Sequence, residues 1–372
     1  MKRINFCKIT DKTRMIIHII CSFSILLSYP LKAENHPSRG QQSSKIEIKF
    51  SEYDNQNSPQ HSGHQYGFDD YSNWKFSNHM PNADDYYGKK LGKSEPPWLS
   101  VKANDTGYCW LLTEGEIKSN KKIQLETGTN QLTVSPNKTQ NACEKLILNT
   151  QGNVNTWINA IYLSNIYAKI YVKAYPQKTI KVLSVILEIN PAPQAKLLIT
   201  KKSNQDRFEC LKQAVIEVED HLTTMNISQL TLNDNTITIT NQTIWSDEML
   251  GCLKNLFLKK FRNQLGSYNF VQFTLAGKLP DRKNKKGKII PTLGQGENGG
   301  SFSYISSNAV NLYPKTFPHE LCHNLNLGHC EKKDKEALMR PSPHKEYPHS
   351  KKLRYLDWDK LQKINTNNLI IQ

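Results

Sequence analysis

The sequence predicts an α+β protein in which a small β-rich unit precedes a larger domain of mixed strands and helices. Short alternating runs, KKIQLETGTNQLTVS and KLILNT, are separated by turn residues between positions 98 and 148, the pattern of half-buried strands. Beyond residue 176, strand-like runs alternate with segments of helical apolar spacing, which indicates strands and helices sharing one core. The composition permits such a core, with 37% apolar and 22% charged residues over 372 positions, enough for one large domain or two modest ones.

Taken in order, residues 1–14 are short and basic and residues 15–31 are mostly apolar, followed by Ala33 and the polar Glu34. That is the layout of a cleaved secretory signal over residues 1–33. A retained signal anchor is the competing reading. Residues 34–98 are polar and aperiodic, rich in Ser, Asn, Gln, His, Tyr and Asp, and are expected to form no regular elements. His61 and His64 in this tract are read as solvated. Residues 99–175 form the β-rich accessory or pro-domain, within which 156–172 is undecided between helix and strand. The last domain spans 176–372. There IKVLSVILEI (180–189), FVQFTLAG (270–277) and SFSYI (301–305) read as strands, and TITIT (236–240) alternates. Residues 206–222 place Phe208, Leu211, Val215, Val218 and Leu222 at steps of three and four, predicting a helix. Residues 246–261 start with a capping Ser246 and acids and end in lysines, predicting a second one. The KNKKGK run (283–288) reads as a solvated loop, and GQGENGG lacks the Lys-Ser/Thr and following helix of a phosphate loop.

Once the leader is removed, six cysteines remain: Cys109, Cys143, Cys210, Cys252, Cys322 and Cys330. An even set behind an export signal reads as up to three disulfides. Cys109–Cys143 is the preferred pair, bracketing the β-rich unit. Cys210 and Cys252 are expected to staple two helices, and Cys322 and Cys330 to join each other or one of those two. The net charge of +16 favours anionic surroundings. No aromatic-and-basic nucleic-acid motif accompanies it. No membrane span is expected after signal cleavage, and the protein is expected to be an extracellular monomer.

The chemistry concentrates in residues 316–330, TFPHELCHNLNLGHC. His319 and His323 stand four apart, so on a helix both imidazoles reach one ion. Glu320 lies beside them, placed to act on a water without being a ligand. His329 follows His319 by ten residues, about 15 Å along a continuous helix. The helix must therefore stop and the chain reverse. Asn326 stands where a left-handed backbone is needed, a conformation asparagine tolerates well after glycine, and Gly328 adds a second turn residue. Pro318 is compatible only with the first helical turn, which puts the helix start near Thr316.

This spacing resembles the metzincin clan of zinc endopeptidases, whose motif is HExxHxxGxxH followed by a methionine-containing turn. Asn326 replaces the clan's glycine, and Met339 matches the turn that forms a floor under the metal. The resemblance covers 176–372 and is specific only over 301–364. It implies a twisted, mostly parallel sheet with an antiparallel edge strand, an active-site helix, and a closing helix in LRYLDWDKLQKI (353–364). It also implies a single catalytic Zn²⁺ on His319, His323 and His329, with Glu320 as general base and acid. In GGSFSYISSNAVNL it implies the edge strand and its neighbour along a substrate cleft. The tyrosine ligand of some members is absent, since Pro341 occupies its place, and Tyr347 is a remote candidate for oxyanion help. Cys330 as a zinc ligand is disfavoured, because a fourth protein ligand would close the water position.

The function expected from these residues is a secreted zinc endopeptidase acting on protein or peptide. In the same reading, residues 34–175 are either an inhibitory pro-segment or a permanent accessory domain. Cys109, Cys143 or a carboxylate of GFDD (67–70) would mask the metal in the first case. The alternative function is a secreted binding protein or adhesin with a structural zinc site. A hydrolase of non-protein substrates using the same zinc chemistry also stands open.

Overall fold

A computed structural model describes residues 46–52, 67–69, 96–189, 207–283, 287–307, 309, 315–330, 338–339 and 353–364. The leader, His61 and His64, and Tyr347 lie outside these residues. The first ten strands are β1 (Glu47–Glu52), β2 (Phe68–Asp69), β3 (Trp98–Lys102), β4 (Thr106–Glu114) and β5 (Ile123–Thr127), then β6 (Leu132–Ser135), β7 (Lys138–Thr139), β8 (Cys143–Thr150), β9 (Asn155–Tyr162) and β10 (Asn165–Tyr175). They form two sheets, ordered β1-β4-β8-β6 and β2-β3-β10-β9-β5-β7. Alternation along each strand decides which side chains enter the space between them. In β4, Gly107, Cys109, Leu111 and Thr113 point inward and their neighbours outward. Leu111, Leu146 and Leu148 from one sheet meet Val101, Ile158, Ile170 and Val172 from the other in one buried cluster. The result is a β-sandwich.

Two of these strands, β1 and β2, lie inside the polar 34–98 tract where no element was expected. β1 pairs with β4 over its whole length, and its Ile48 and Phe50 are buried in the sandwich. Two apolar residues two apart were too weak a signal against the surrounding composition. The undecided stretch 156–172 is also strand, contributing most of β9 and part of β10.

The remaining elements are β11 (Lys178–Glu188), β12 (Ile216–Asn226), β13 (Gln229–Leu232), β14 (Asn235–Thr238), α1 (Asp247–Leu265), β15 (Phe270–Thr274), β16 (Arg282–Lys283), β17 (Ile289–Ile290), β18 (Gly294–Gly296), β19 (Phe302–Ile305), α2 (Thr316–Asn324) and α3 (Tyr355–Lys363). A five-stranded sheet runs β12-β11-β15-β19-β18. Its first four strands are parallel and β18 is antiparallel to β19. One face carries Leu183, Val185, Val271 and Phe273, covered by Leu250, Leu253 and Phe257 of α1. The other carries Ile180, Val182 and Phe270, covered by Phe317 and Leu321 of α2 and by Trp358 and Leu361 of α3. Ser246 caps α1 by accepting the Met249 N–H at 3.3 Å.

The α+β class, and with it the metzincin-like fold implied by the resemblance, requires correction. Nineteen strands in five sheets against three α-helices make the described residues mainly β. One cause is local. The helix expected over 206–222 is a short 3₁₀ segment, Glu209–Ala214, ended by Val215 at φ 57°. From Ile216 onward the chain is β12, paired with β11 through eleven consecutive rungs. The helical spacing of Phe208, Leu211 and Val215 was real but covered only that segment. The β-branched, alternating residues after it gain more from sheet pairing than from a helix face.

The disulfides expected from cysteine count are corrected too, since no disulfide joins any two of the described cysteines. Cys109 lies opposite Leu146 and Cys143 opposite Leu112, three rungs apart. Cys109 points into the sandwich and Cys143 into solvent. Burial pushes the Cys109 thiol up to about 12. Cys210 and Cys252 pack against opposite faces of the five-stranded sheet. Cys322 and Cys330 both border the core beneath α2.

The sandwich and the C-terminal helix are joined by buried polar contacts. Arg354 Nη1 meets Asp69 Oδ1 at 3.0 Å with both side chains almost fully enclosed. Asp359 receives Lys173 Nζ and the Tyr175 hydroxyl, each at 2.6 Å. Ser100 Oγ donates to the Gln213 carbonyl at 2.6 Å. A Cβ on Gly67 would fall 2.3 Å from the Trp358 ring, so the chain passes there only as glycine. Removing one partner of a buried ion pair strands the other charge, at a cost of about 3–5 kcal/mol. Asp69→Ala should accordingly lower the urea-denaturation stability by about 3 kcal/mol, and Asp69→Ala with Arg354→Met should recover most of it. A loss below about 1 kcal/mol in the single variant would show that water reaches Arg354.

Candidate metal centre

Helix α2 is held at both ends by buried amides. Gln272 of β15 donates to the Phe317 carbonyl at 3.0 Å in the first turn. Asn324, in the last turn, donates to the carbonyls of Phe302 at 2.8 Å and Glu297 at 3.1 Å. Pro318 sits within the first turn, where its missing N–H removes no helical bond. Leu321 and Cys322 face the core, and His319, Glu320 and His323 face the cleft.

The helix ends in a Schellman closure. Leu327 N–H reaches the Cys322 carbonyl at 2.9 Å and Asn326 N–H reaches the His323 carbonyl at 2.8 Å, the paired bonds of that motif. Asn326 occupies its left-handed position at φ 62°. Gly328 is outside the left-handed region, and a Cβ there would meet open space. The reversal therefore depends on Asn326 alone.

This closure returns His329 to the helix. Its Nε2 lies 3.1 Å from Nε2 of both His319 and His323, and donor atoms of the three imidazoles fall within 4.8 Å of one another. Two nitrogens on one tetrahedral ion, each about 2.0–2.1 Å from it, would stand about 3.3 Å apart. The cluster can hold a metal ion. Two of the three remaining nitrogens are already oriented. His319 Nδ1 is 2.8 Å from the Leu338 carbonyl and His323 Nδ1 is 2.8 Å from the Leu327 carbonyl. With Nδ1–H donating there, Nε2 presents its lone pair to the shared point. Burial pushes the His319 imidazole down to about 3 and lowers His323 as well, so these side chains are neutral, the form that binds metal.

Met339 is buried, and its carbonyl accepts the Cys330 N–H at 2.9 Å, one residue beyond His329. The turn at 338–339 therefore supports the site twice, through Leu338 on His319 and through Met339 on the chain after His329. Glu320 is buried against β18. Burial pushes its carboxyl up to about 8, opposed by the Gly296 N–H and by the charge of Arg282. A Cβ on Gly294 would lie 2.6 Å from Glu320 Oε1, and one on Gly296 would lie 2.6 Å from the Glu320 carbonyl oxygen. The GQG of β18 is thus a close approach of strand to helix. The two-apart glycines of GQGENGG were the available signal, and a phosphate-loop comparison could not read it.

An open cavity of about 460 Å³ runs along β18 and α2, lined by Glu320, the three histidines, Arg282 and Lys315 among others. The strand bordering it is β18, the sheet's last member, whereas β19 (the SFSYI run expected at the edge) is interior between β15 and β18. None of the three masking candidates described lines the metal cavity. Cys109 is in the sandwich core, Cys143 is exposed on β8 and Asp69 is bound to Arg354. None of the described helices is long and apolar enough to cross a membrane.

No protein-family model matches the sequence, and no curated protein matches it. Among solved structures, one similar chain is a family 123 glycoside hydrolase from Clostridium perfringens that hydrolyses glycolipid glycans, with 9% identity and a TM-score of 0.20. The match covers 67% of this chain and 52% of that one. A likeness this weak carries no argument about fold or activity.

A left-handed residue that carries a Cβ and no short polar side chain costs about 1–2 kcal/mol. Asn326→Val should therefore weaken metal binding about five- to thirtyfold in competition with a chromophoric chelator, while Asn326→Gly retains it. Equal affinity in both variants would mean that His329 reaches the site by another path.

Proposed function

We propose that this chain is an exported zinc-dependent endopeptidase. The observation that carries the reading is the convergence of three Nε2 atoms, two of the pairs at 3.1 Å, with one buried carboxylate, Glu320, beside an open strand edge. Three neutral imidazoles, two of them with their second nitrogens on carbonyls, suit zinc and leave room for a fourth, exchangeable position. When bound there, zinc would supply an acidified water and polarise a carbonyl oxygen.

The chain's own part is proton handling and alignment. The Glu320 carboxylate accepts a proton from the attacking water and returns it to the leaving nitrogen. Its burial keeps bulk water from competing for that proton. Arg282, and a cation at the imidazoles, act against the upward shift that burial imposes on it. The edge of β18 offers backbone groups to an extended peptide, which would add as a further strand. That geometry favours a polypeptide over a compact small molecule.

Glu320→Gln should keep one zinc per chain and lose about 10²- to 10⁴-fold in peptide cleavage. Zinc retention with cleavage unchanged would overturn the mechanism. Absence of any cleavage in the intact protein, with zinc bound, would favour the binding-protein reading. Chelation should abolish activity and zinc should restore it.

We also read residues 46–175 as a permanent part of the active protein. Asp69, Lys173 and Tyr175 complete the buried charge set on α3, and Trp98 and Tyr175 belong to the core beneath α2. Removing them would expose that core. The N-terminus of the secreted, active form should therefore precede residue 46. Activity in a form starting after residue 175 would establish the pro-segment reading instead.

A further inference from the structure

The cavity beside the three histidines is unbalanced in charge. Its described lining contains two permanent cations, Arg282 and Lys315, and one acid, Glu320, which the proposed mechanism already uses. Arg282 stands on the exposed hairpin β16–β17, and Lys315 immediately precedes α2. Among the described residues Arg282 makes no ion pair. Both cations act on the metal side of the cleft: Arg282 electrostatically at Glu320 and His329, Lys315 at His319. The described lining also includes Gly294, Gln295, Gly296 and Asn298, which are uncharged. A cleft of one sign concentrates ligands of the other and rejects its own.

We propose that Arg282 makes this cleft selective for an acidic side chain, aspartate or glutamate, next to the bond that is cut. The inference rests on the endopeptidase reading and names its substrate class. Arg282 supplies the recognition at the rim, where a planar guanidinium can take a carboxylate through two parallel hydrogen bonds. A lysine or arginine at the same substrate position meets repulsion from Arg282 as well as a lost contact. Because Arg282 is exposed, its contribution is screened by salt.

The experiment compares the zinc-loaded protein on peptides that differ only by Glu, Gln or Lys at the positions flanking the cleaved bond. A rim ion pair predicts a kcat/KM preference for Glu over Gln of about two- to fivefold at low salt, and a larger one over Lys. Arg282→Gln should shrink the Glu-to-Gln ratio towards one, Arg282→Glu should invert it, and both should keep their zinc. Raising salt should shrink the wild-type ratio. Equal turnover of the three peptides, or a ratio unchanged by Arg282→Glu, would overturn the selectivity while leaving the endopeptidase reading intact. Turnover of none of them by the zinc-loaded protein would remove that reading and the selectivity with it.

Discussion

The site rests on one backbone event, the left-handed residue that ends helix α2. Without Asn326 at φ 62°, the chain would leave the helix along its axis and His329 would sit far from His319 and His323. With it, Leu327 folds back onto the last turn, where its N–H closes on Cys322 and its carbonyl orients His323. One residue's conformation thus ends the helix, aims one ligand and returns another. One side-chain amide from a neighbouring strand, Gln272, and one from the helix itself, Asn324, hold the helix so that this small reversal is reproducible.

Around that point, the structure uses backbone groups where a sequence shows only side chains. Leu338 and Leu327 carbonyls set the imidazole tautomers, and the Gly296 N–H faces the Glu320 carboxylate. The glycines of β18 allow strand and helix to approach closely enough for this. A buried carboxylate in such a place is held towards its neutral form by desolvation and towards its charged form by neighbouring cations. The balance of those opposing effects is what a general base requires. The cations also colour the cleft, so electrostatics that tune Glu320 are available to choose a substrate.

The sandwich bears on the site indirectly. Its β2, β3 and β10 meet α3 and the 3₁₀ segment through a buried ion pair, a shared aspartate and a hydroxyl bond. Trp98 and Tyr175 extend into the core under α2. A buried pair of this kind contributes more to specificity of docking than to net stability. The segment contributing Asp69 is almost three hundred residues from Arg354, and the two are joined only because the C-terminal helix packs on the sandwich.

The sequence by itself determined the local chemistry of the site. The histidine spacing, the place of Glu320, the need for a reversal before His329 and the suitability of Asn326 all follow from helix geometry and backbone sterics over some ten residues. Long, strongly patterned elements were legible for the same reason, as with the capped helix α1 and the apolar strand β11. Tertiary structure alone decided what depends on distant partners. It turned residues 216–226 into a strand because β11 offered eleven rungs, made Glu47–Glu52 a strand because β4 offered an edge, and put Cys109 and Cys143 on opposite sides of their sheet. It also chose β18 over β19 as the open edge and brought Leu338, Gly294 and Arg282 to the cleft. Sheet pairing and close packing are non-local, so their energies are invisible to any window of sequence that contains only one of the partners.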